Sequence, residues 1–200
     1  MIDSQNNNTS LNLANYLAVL ALAVVLLNAT ACVSEPQKLD NQKVVNKYFD
    51  LAGFVQTQKE AMSAASSSCT KIVSVNEKNE NKAVNSDELE QELEVFIDAD
   101  INKPAWSDKY IIDSLKVNGI LQQLKYTTID PKLKTRVLEV VFDSEGNVSE
   151  IHVLRDVKSV IADTYNEMYL WPGKGYEINT IQAVALSDTT RLQVKVSCQN

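Results

Sequence analysis

Residues 190–198 read TRLQVKVSC, and the alternation within this stretch decides the fold class. Apolar residues occupy every second position, and polar residues occupy most of the positions between them. The apolar positions are Leu192, Val194, Val196 and Cys198, and the polar positions are Arg191, Gln193 and Lys195. Because successive side chains of a strand point to opposite faces of a sheet, the alternation predicts a β-strand with one buried and one solvated face.

The same period of two runs through the chain after Pro104, where turn signals divide it into short segments. The turn signals are Asn118–Gly119, Asp130–Pro131 and residues 143–147, 172–175 and 187–189. The predicted strands are residues 109–117, 121–129, 135–142, 147–154, 161–171, 175–186 and 190–198. Short strands with regularly spaced turns are typical of an antiparallel meander.

A helical period precedes these strands. From Asn41 the apolar side chains recur at three-, four- or seven-residue steps, which predicts an amphipathic helix that ends in the serine-rich residues 63–68. A second helix is predicted behind Asn85, which has the spacing of a capping box with Glu88, and Ser86 is the alternative cap. The two apolar stripes are Val44, Tyr48, Leu51, Val55 and Met62 in the first helix, and Leu89, Leu93, Phe96 and Ile97 in the second.

Between the helices, residues 69–75 are rich in β-branched side chains and predict a further strand. Residues 76–82 are predicted to be a polar turn that leads to a short strand around Ala83 and Val84. Two helices must bury their stripes, and the apolar face of the sheet is the partner available. The predicted fold is therefore α+β: a curved antiparallel β-sheet meander of about six to eight strands, with two amphipathic helices packed on one face.

The N-terminal region carries an unbroken apolar run, LAVLALAVVLL, at residues 17–27. A membrane-spanning helix needs roughly 20 apolar residues, whereas a run of about half that length is typical of a signal peptide. The sequence ATAC, which ends at Cys32, follows it, and here the segment resembles the lipobox of bacterial lipoproteins. The resemblance implies that residues 1–31 are a lipoprotein signal peptide and that Cys32 is the lipid-attachment residue, carrying acyl chains such as palmitate. The alternatives are an ordinary cleaved signal peptide and a short buried or membrane-associated helix.

The residues that follow Cys32 indicate where the protein is located and where its folded domain begins. Val33 stands where an Asp would imply retention in the inner membrane, so resemblance to Gram-negative sorting rules implies the outer membrane, facing the periplasm or the cell surface. Residues 32–41 are polar and Pro-containing and are interpreted as a tether. Residues 42–200 are long enough for a single α+β domain with a real core.

Three further stretches carry a likeness. YFDLAGFV at residues 48–55, ADINKPAW at 99–106 and GYEINTIQ at 175–182 resemble an uncharacterised lipoprotein family of Bacteroidetes-type bacteria. This resemblance supports the lipoprotein interpretation and implies no particular activity. The predicted layout of helices on a curved sheet also resembles periplasmic lipoprotein carriers, whose half-barrels hold acyl chains.

Net charge and cysteine content limit the kinds of partner and the cysteine chemistry that the sequence predicts. The net charge is −7 and the sequence has no basic stripe, so nucleic-acid binding is not predicted. Besides Cys32 the chain has Cys69 and Cys198, and an even pair in an oxidising compartment predicts a disulfide. Two buried free thiols are the alternative. The sequence contains no glycine-rich phosphate loop and no Cys-x-x-Cys motif, and no cofactor is predicted.

Candidate catalytic and metal-binding residues are few. His152 is the only histidine, and because a general base or a zinc site usually needs partners, it is interpreted as a surface or half-buried strand residue. Asp98 and Asp100 could bind a cation, but such residues more often cap or solvate a helix end. Residues 143–147 loosely match a calcium loop, but Gly146 suits a hairpin turn better. No catalytic or metal-binding residue is therefore predicted.

Aromatic residues cluster around the turn at residues 172–175. They are Tyr165, Tyr169, Trp171 and Tyr176. The first three share strand parity and hence one face of a strand. An exposed aromatic patch would hold a sugar ring or a protein partner, so these four are the candidate ligand-binding residues, with core packing as the alternative.

Together these observations predict an envelope lipoprotein without enzymatic activity, namely a binding or accessory domain anchored in the outer membrane. Its predicted partners are the membrane, through the lipid anchor, and an envelope protein or an apolar ligand. The alternative is a periplasmic carrier that holds an acyl chain or another apolar ligand between sheet and helices. The carrier requires an internal apolar cavity, whereas the accessory domain requires a filled core and an exposed patch.

Overall fold

The computed structural model describes residues 47–185 and 187–199 of the chain. The predicted signal peptide, the lipid-attachment residue Cys32, the tether and the first residues of the predicted first helix lie outside the described residues. The described residues belong to a compact unit that runs from Val45 to Asn200.

Two α-helices and nine strands form in the described residues. The helices are α1 (Leu51–Ala64) and α2 (Ser86–Ile97). The strands are β1 (Cys69–Val75), β2 (Lys78–Ala83), β3 (Tyr110–Val117), β4 (Ile120–Thr128), β5 (Thr135–Phe142), β6 (Val148–Lys158), β7 (Ala162–Trp171), β8 (Gly175–Val184) and β9 (Thr190–Cys198). Single turns of 3-10 helix lie at Ser66–Ser68 and Pro104–Trp106.

All nine strands belong to one antiparallel sheet with the order β2-β1-β9-β8-β7-β6-β5-β4-β3. The strands from β3 to β9 form a meander in which each strand pairs with the next along the chain. The β1–β2 hairpin extends the sheet beyond β9, because β1 pairs with β9. Within the described residues, β2 and β3 are the two edges of an open sheet. The predicted α+β class with an antiparallel sheet and two helices is confirmed.

The strand count exceeds the predicted six to eight because residues 76–82 are not a turn throughout. Only Asn76 and Glu77 form the turn, with φ angles of 46° and 70°, in the left-handed region that two-residue hairpin turns use. The residues that follow form β2, and its six side chains are all exposed. Five of these six residues are polar, so the sequence of β2 lacks the apolar residues that identify a strand.

Both helices begin at side-chain caps. Asp50 accepts a hydrogen bond from the backbone N of Gly53 at 3.0 Å, and Asn85 accepts one from the backbone N of Asp87 at 2.9 Å. The predicted cap of α2 at Asn85 is confirmed. The predicted extent of the first helix is wrong within the described residues, because the helix begins only behind the Asp50 cap and Tyr48 precedes it.

The two helices pack on one face of the sheet, called here the covered face. Cross-strand partners on this face form apolar rows. One row is Val196, Tyr176, Leu170, Ile151 and Val140, and the next is Val194, Ile178, Met168, Val153, Leu138 and Tyr126. The helices contribute Leu51, Val55, Met62, Leu89, Leu93 and Phe96, each at most 2% exposed. The core of the domain therefore lies between the helices and the covered face.

A disulfide joins Cys69 of β1 to Cys198 of β9. The two residues are direct cross-strand partners, and their separation along the sequence is 129 positions. The disulfide therefore ties the last strand to the first and closes most of the domain into one covalent loop.

Candidate functional site

The sheet face opposite the helices is called here the open face, since both described helices lie on the covered face. Its central row of cross-strand partners runs Lys195, Glu177, Tyr169, His152, Glu139 and Lys125. The lysines at the two ends of this row are exposed, and the four side chains between them are half-buried. Polar and aromatic side chains thus pack against one another on this face, although neither of the two described helices covers it.

Three parallel rings form a stack at the centre of the open face: His152, Tyr169 and Trp171, called here the ring stack. The centroids of His152 and Tyr169 are 4.5 Å apart, with 11° between the ring planes. Those of Tyr169 and Trp171 are 5.8 Å apart, with 5° between the planes. His152 and Tyr169 meet because they are cross-strand partners, and Trp171 joins them because it lies two residues further along β7, on the same face.

Two glutamate carboxylates lie within hydrogen-bonding distance of the polar atoms of the three rings. Glu167 Oε1 accepts a hydrogen bond from the Tyr169 hydroxyl at 2.9 Å and lies 3.2 Å from His152 Nε2. Glu150 Oε2 accepts a hydrogen bond from Trp171 Nε1 at 2.8 Å. Burial, together with the Glu167 carboxylate, raises the pKa of Tyr169 to about 12, so its hydroxyl remains a donor at neutral pH. Hydrogen bonds as well as stacking therefore orient the rings.

A charged network flanks the ring stack on the side of β8 and β9. Glu177 lies 3.4 Å from Lys195 Nζ and accepts hydrogen bonds of 3.0 Å from both Asn179 and Gln193. Burial alone would raise the pKa of Glu177, but the hydrogen bonds from Asn179, Lys195 and Gln193 outweigh it and lower the pKa. Glu177 is therefore held in its ionised form, with its oxygens already occupied by donors.

The charge balance differs on the side of β5 and β6. Glu139 lies 3.5 Å from Lys125 Nζ, which compensates its charge. Among the described residues, neither Glu150 nor Glu167 has a lysine or arginine nitrogen within 4.0 Å of its carboxylate oxygens. The centre of the open face therefore carries excess negative charge beside the rings.

The candidate ligand-binding residues are divided between the two faces. Tyr165, Tyr169 and Trp171 share the open face, as their strand parity predicts. Tyr176 instead is fully buried on the covered face, where its hydroxyl donates a hydrogen bond to Glu92 Oε2 at 2.5 Å. Since Tyr176 directly precedes an open-face residue in its strand, it points the other way and lies outside the open-face surface.

The partners of His152 are not identifiable from the sequence of its own strand. The structure brings it against Tyr169 and Glu167, which lie 17 and 15 residues later in the chain. The signal that identifies them is the register between β6 and β7, which their tight connection at residues 159–161 sets. With that register, the alternation in the two strands is enough to place all three side chains together.

The other candidate groups have structural roles in the described residues. Asp98 is the C-cap residue of α2, and Asp100 accepts a hydrogen bond from the backbone N of Asn102 at 3.1 Å. Asp143 accepts hydrogen bonds from two backbone N–H groups of its own hairpin turn. Across residues 47–185 and 187–199, no group of three or more His, Cys, Asp or Glu side chains is arranged to hold a metal ion. None of the helices in that same part is long and apolar enough to cross a membrane.

The chain matches no protein-family model, no curated protein and no solved structure. The resemblance of residues 48–55, 99–106 and 175–182 to a lipoprotein family therefore stays a prediction. The function has to be inferred from the chemistry of the open face and from the N-terminal sequence.

Proposed function

We propose that this protein is an outer-membrane lipoprotein, anchored through Cys32, whose domain binds a saccharide non-enzymatically on its open face. The sequence around Cys32 supports the anchor, as the apolar run and the ATAC motif resemble a lipobox. The observation that carries the binding role is the ring stack with the carboxylates of Glu150 and Glu167. Aromatic rings and acceptors held in fixed positions on an uncovered sheet face favour recognition over packing.

The chemistry of these groups suits a ligand that is rich in hydroxyl groups. Ionised carboxylates only accept hydrogen bonds, and Glu150 and Glu167 each have further acceptor sites beyond those that the rings occupy. Sugar hydroxyls are suitable donors, and the C–H groups of a sugar ring can contact the aromatic side chains. The excess negative charge repels phosphates and sulfates, so a neutral or amino-bearing saccharide is favoured over an anionic one.

The shape of the surface further narrows the ligand. Sites for small molecules are usually concave and bury most of the ligand. Here the polar and aromatic side chains form rows across neighbouring strands, from Lys195 on β9 to Lys125 on β4. Such a surface spans several strand spacings of about 4.8 Å each, which suits an extended oligosaccharide or polysaccharide.

The alternative function is a carrier that holds an acyl chain between the sheet and the helices. Large side chains from both layers fill that interface, with Phe96 and Leu93 of α2 and Met168 and Leu170 of β7 fully buried. A bound acyl chain would require these side chains to separate, with the loss of their mutual contacts. A packed interface favours the binding domain, and native mass spectrometry of the purified protein tests the carrier, because a co-purified lipid would support it.

Binding is tested by titrating the protein with soluble neutral polysaccharides, namely a β-glucan, a xylan and an α-glucan, with heparin as the anionic comparison. A Trp106→Phe background makes Trp171 the reporter of tryptophan fluorescence. We expect binding of at least one neutral polysaccharide and weaker or no binding of heparin. Glu167→Gln and Glu150→Gln should each weaken binding about tenfold, because a hydrogen bond to a charged group contributes about 1.5 kcal/mol or more.

Glu80→Gln is the matched control, since Glu80 lies on the edge strand β2 and is exposed. This variant should bind as the unmodified protein does. Equal binding by Glu150→Gln and Glu167→Gln would contradict the assignment of the open face, and no binding of any polysaccharide would contradict the saccharide class. The anchor is tested separately by the intact mass of protein from the membrane fraction of a Gram-negative host, which should equal residues 32–200 plus acyl groups.

A further inference from the structure

One end of the sheet, called here the entry end, is where the described chain begins. It is formed by residues 103–109, 129–134, 159–161, 185 and 187–189 and by the turn at residues 76–77. The Tyr48 hydroxyl donates a hydrogen bond to the carbonyl of Ser107 at 2.7 Å, and the Lys47 ammonium donates to the same carbonyl. The Tyr48 ring also packs edge-on against Tyr110 and Tyr126, with centroids 5.7 and 5.6 Å away. Lys47 and Tyr48, the first two described residues, are therefore held at this end.

Aliphatic side chains project from the loops of the entry end. Val160 is fully exposed and Ile161 is 72% exposed, and both lie at the tip of the β6–β7 hairpin. Ile129 is 59% exposed, and its backbone N donates a hydrogen bond to the carbonyl of Lys109 in the entry loop. Hairpin tips normally carry Gly, Asn, Asp, Ser or Pro, so two adjacent branched aliphatic residues there are not explained by turn formation.

The opposite end of the sheet has a different composition. Its β3–β4 turn is Asn118–Gly119, and its β5–β6 turn at residues 144–147 is polar. The exposed aliphatic residues near that end, Val117 and Ile120, flank the turn as the last residue of β3 and the first residue of β4, whereas the turn residues themselves are polar. Projecting aliphatic tips are thus a feature of the entry end.

Lysines lie near the aliphatic tips, together with the exposed carboxylates of Asp108, Asp163 and Asp188. Lys103, Lys132, Lys134 and Lys158 are exposed in the loops or strand ends of the entry end. Lys103 Nζ lies 4.2 Å from the centre of the half-buried Trp106 ring. Exposed aliphatic side chains beside a tryptophan and lysines are found on surfaces that contact lipid bilayers, where the apolar groups enter the interface and the lysine ammonium groups stay at the head groups.

The length of the preceding chain limits how far this end can lie from an anchor. Fifteen residues, Cys32 to Asn46, separate the anchor position from Lys47. Even fully extended they span at most about 54 Å. We propose that the entry end rests on the bilayer that holds Cys32, with Ile129, Val160 and Ile161 inserted at the lipid interface. This inference rests on the proposed lipid anchor.

The test uses the mature acylated protein in vesicles of phosphatidylethanolamine and phosphatidylglycerol. A Val160→Cys variant is labelled with an environment-sensitive NBD fluorophore, and its thiol is free because Cys69 and Cys198 are paired and Cys32 is acylated. Ser144→Cys is the matched control, an exposed turn position at the opposite end. We expect the label at position 160 to brighten several-fold and shift to shorter wavelength, and to be quenched by brominated lipids, while the label at position 144 stays in water.

The intact mass of each sample separates the two proposals. Acyl groups on Cys32 together with two equally aqueous labels would leave the anchor in place and overturn the membrane contact. A label at position 144 that enters the bilayer would overturn the orientation, and a change at position 160 that appears without lipid and grows with protein concentration would indicate a second copy as the partner. A mass without acyl groups would remove the anchor, and this inference with it.

Discussion

The covered face and the open face are built from alternate residues of the same strands, yet polar groups behave differently on the two. On the covered face, Lys71 is buried, with its Nζ 2.7 Å from Glu92 and 3.0 Å from Glu88 of α2. On the open face, Glu150 and Glu167 face solvent and hold aromatic rings. Polar groups on the covered face thus serve the attachment of a helix, whereas those on the open face order a surface. Strand parity determines which side chains share a face, and the position of the helices determines which face becomes the core.

The largest effect is expected where the covered face meets α2. Phe96→Ala should lower the free energy of unfolding by about 3–5 kcal/mol, because it removes a fully buried ring and leaves a cavity. The ring also packs edge-on against Tyr176, with centroids 6.4 Å apart. Tyr165→Ala on the open face should lower it by no more than about 1 kcal/mol, since that ring is already partly solvated. Urea unfolding followed by circular dichroism measures both, and equal losses would mean that the open face is also part of a core.

The next largest effect on the free energy of unfolding is expected for the disulfide, whose Cys69 belongs to the core on the covered face. Reduction, or the double variant Cys69→Ser and Cys198→Ser, should lower the free energy of unfolding by about 2–4 kcal/mol, because the open chain gains entropy when it unfolds. The bond closes a loop with a sequence separation of 129 residues. Unfolding of the unmodified protein with and without reductant measures the effect. The double variant is the control, and a response of that variant to reductant would assign the loss to something other than this bond.

The difference between buried and solvated strand faces also explains which strands were predicted from the sequence. Residues 135–142 and 190–198 were predicted as strands and form β5 and β9 with the same bounds. One face of each strand contains buried residues, and the sequence therefore carries apolar side chains at the positions of that face. Residues 78–83 show no such pattern of apolar side chains, since both faces of β2 are solvated. Only their pairing with β1 makes them a strand. The other edge strand, β3, was predicted at residues 109–117 because it is rich in apolar side chains, although most of them are exposed. Local sequence therefore identifies strands that carry apolar side chains and misses a polar strand that only pairing defines.

The candidate site was predictable only in part, for a related reason. Parity alone places Tyr169 and Trp171 on one face, because they lie in one strand. Their contact with His152 depends on the register between two strands, and a slip of one residue would carry His152 to the other face. The placement of Tyr176 in the core also depends on pairing, as its partner across the sheet is the buried Leu170. Contacts across strands are nonlocal, and the sequence of one strand does not contain them.

A smaller effect is expected when a tyrosine hydroxyl is removed, and it should differ between the two faces. Tyr176→Phe should lower the free energy of unfolding by about 1–2 kcal/mol, because it removes a buried hydrogen bond to the Glu92 carboxylate. Tyr169→Phe removes a hydroxyl bonded to the Glu167 carboxylate, but that carboxylate is partly exposed and water can replace the donor. Its loss should stay below about 1 kcal/mol. Urea unfolding of the two variants side by side measures the difference, and a larger loss for Tyr169→Phe would reverse the ranking of the two faces.

The smallest expected effect concerns the acid stability of the open face. The pKa of Glu177 is lowered in the folded protein: burial opposes this, but hydrogen bonds from Asn179, Lys195 and Gln193 outweigh it. A lowered folded-state pKa means that the unfolded state binds the proton first as the pH falls. The contribution of Glu177 is therefore fully present above its ordinary pKa of 4.5 and is lost as the pH falls through the folded-state value. It should amount to less than about 1 kcal/mol, because its partner Lys195 is exposed to water.

Glu177→Gln isolates this contribution from that of Asp143, whose pKa is also lowered, through hydrogen bonds from Asn147 and neighbouring backbone N–H groups in its exposed turn. The variant should be less stable than the unmodified protein at pH 7 and should approach it as the pH falls below 4.5 and through the lowered folded-state pKa of Glu177. Unfolding curves at several pH values at low salt measure this convergence. A constant difference at all pH values would mean that Glu177 acts by packing rather than by charge. The ion pair with Lys195 and the hydrogen bonds from Asn179 and Gln193 would then contribute nothing to the acid stability of the open face.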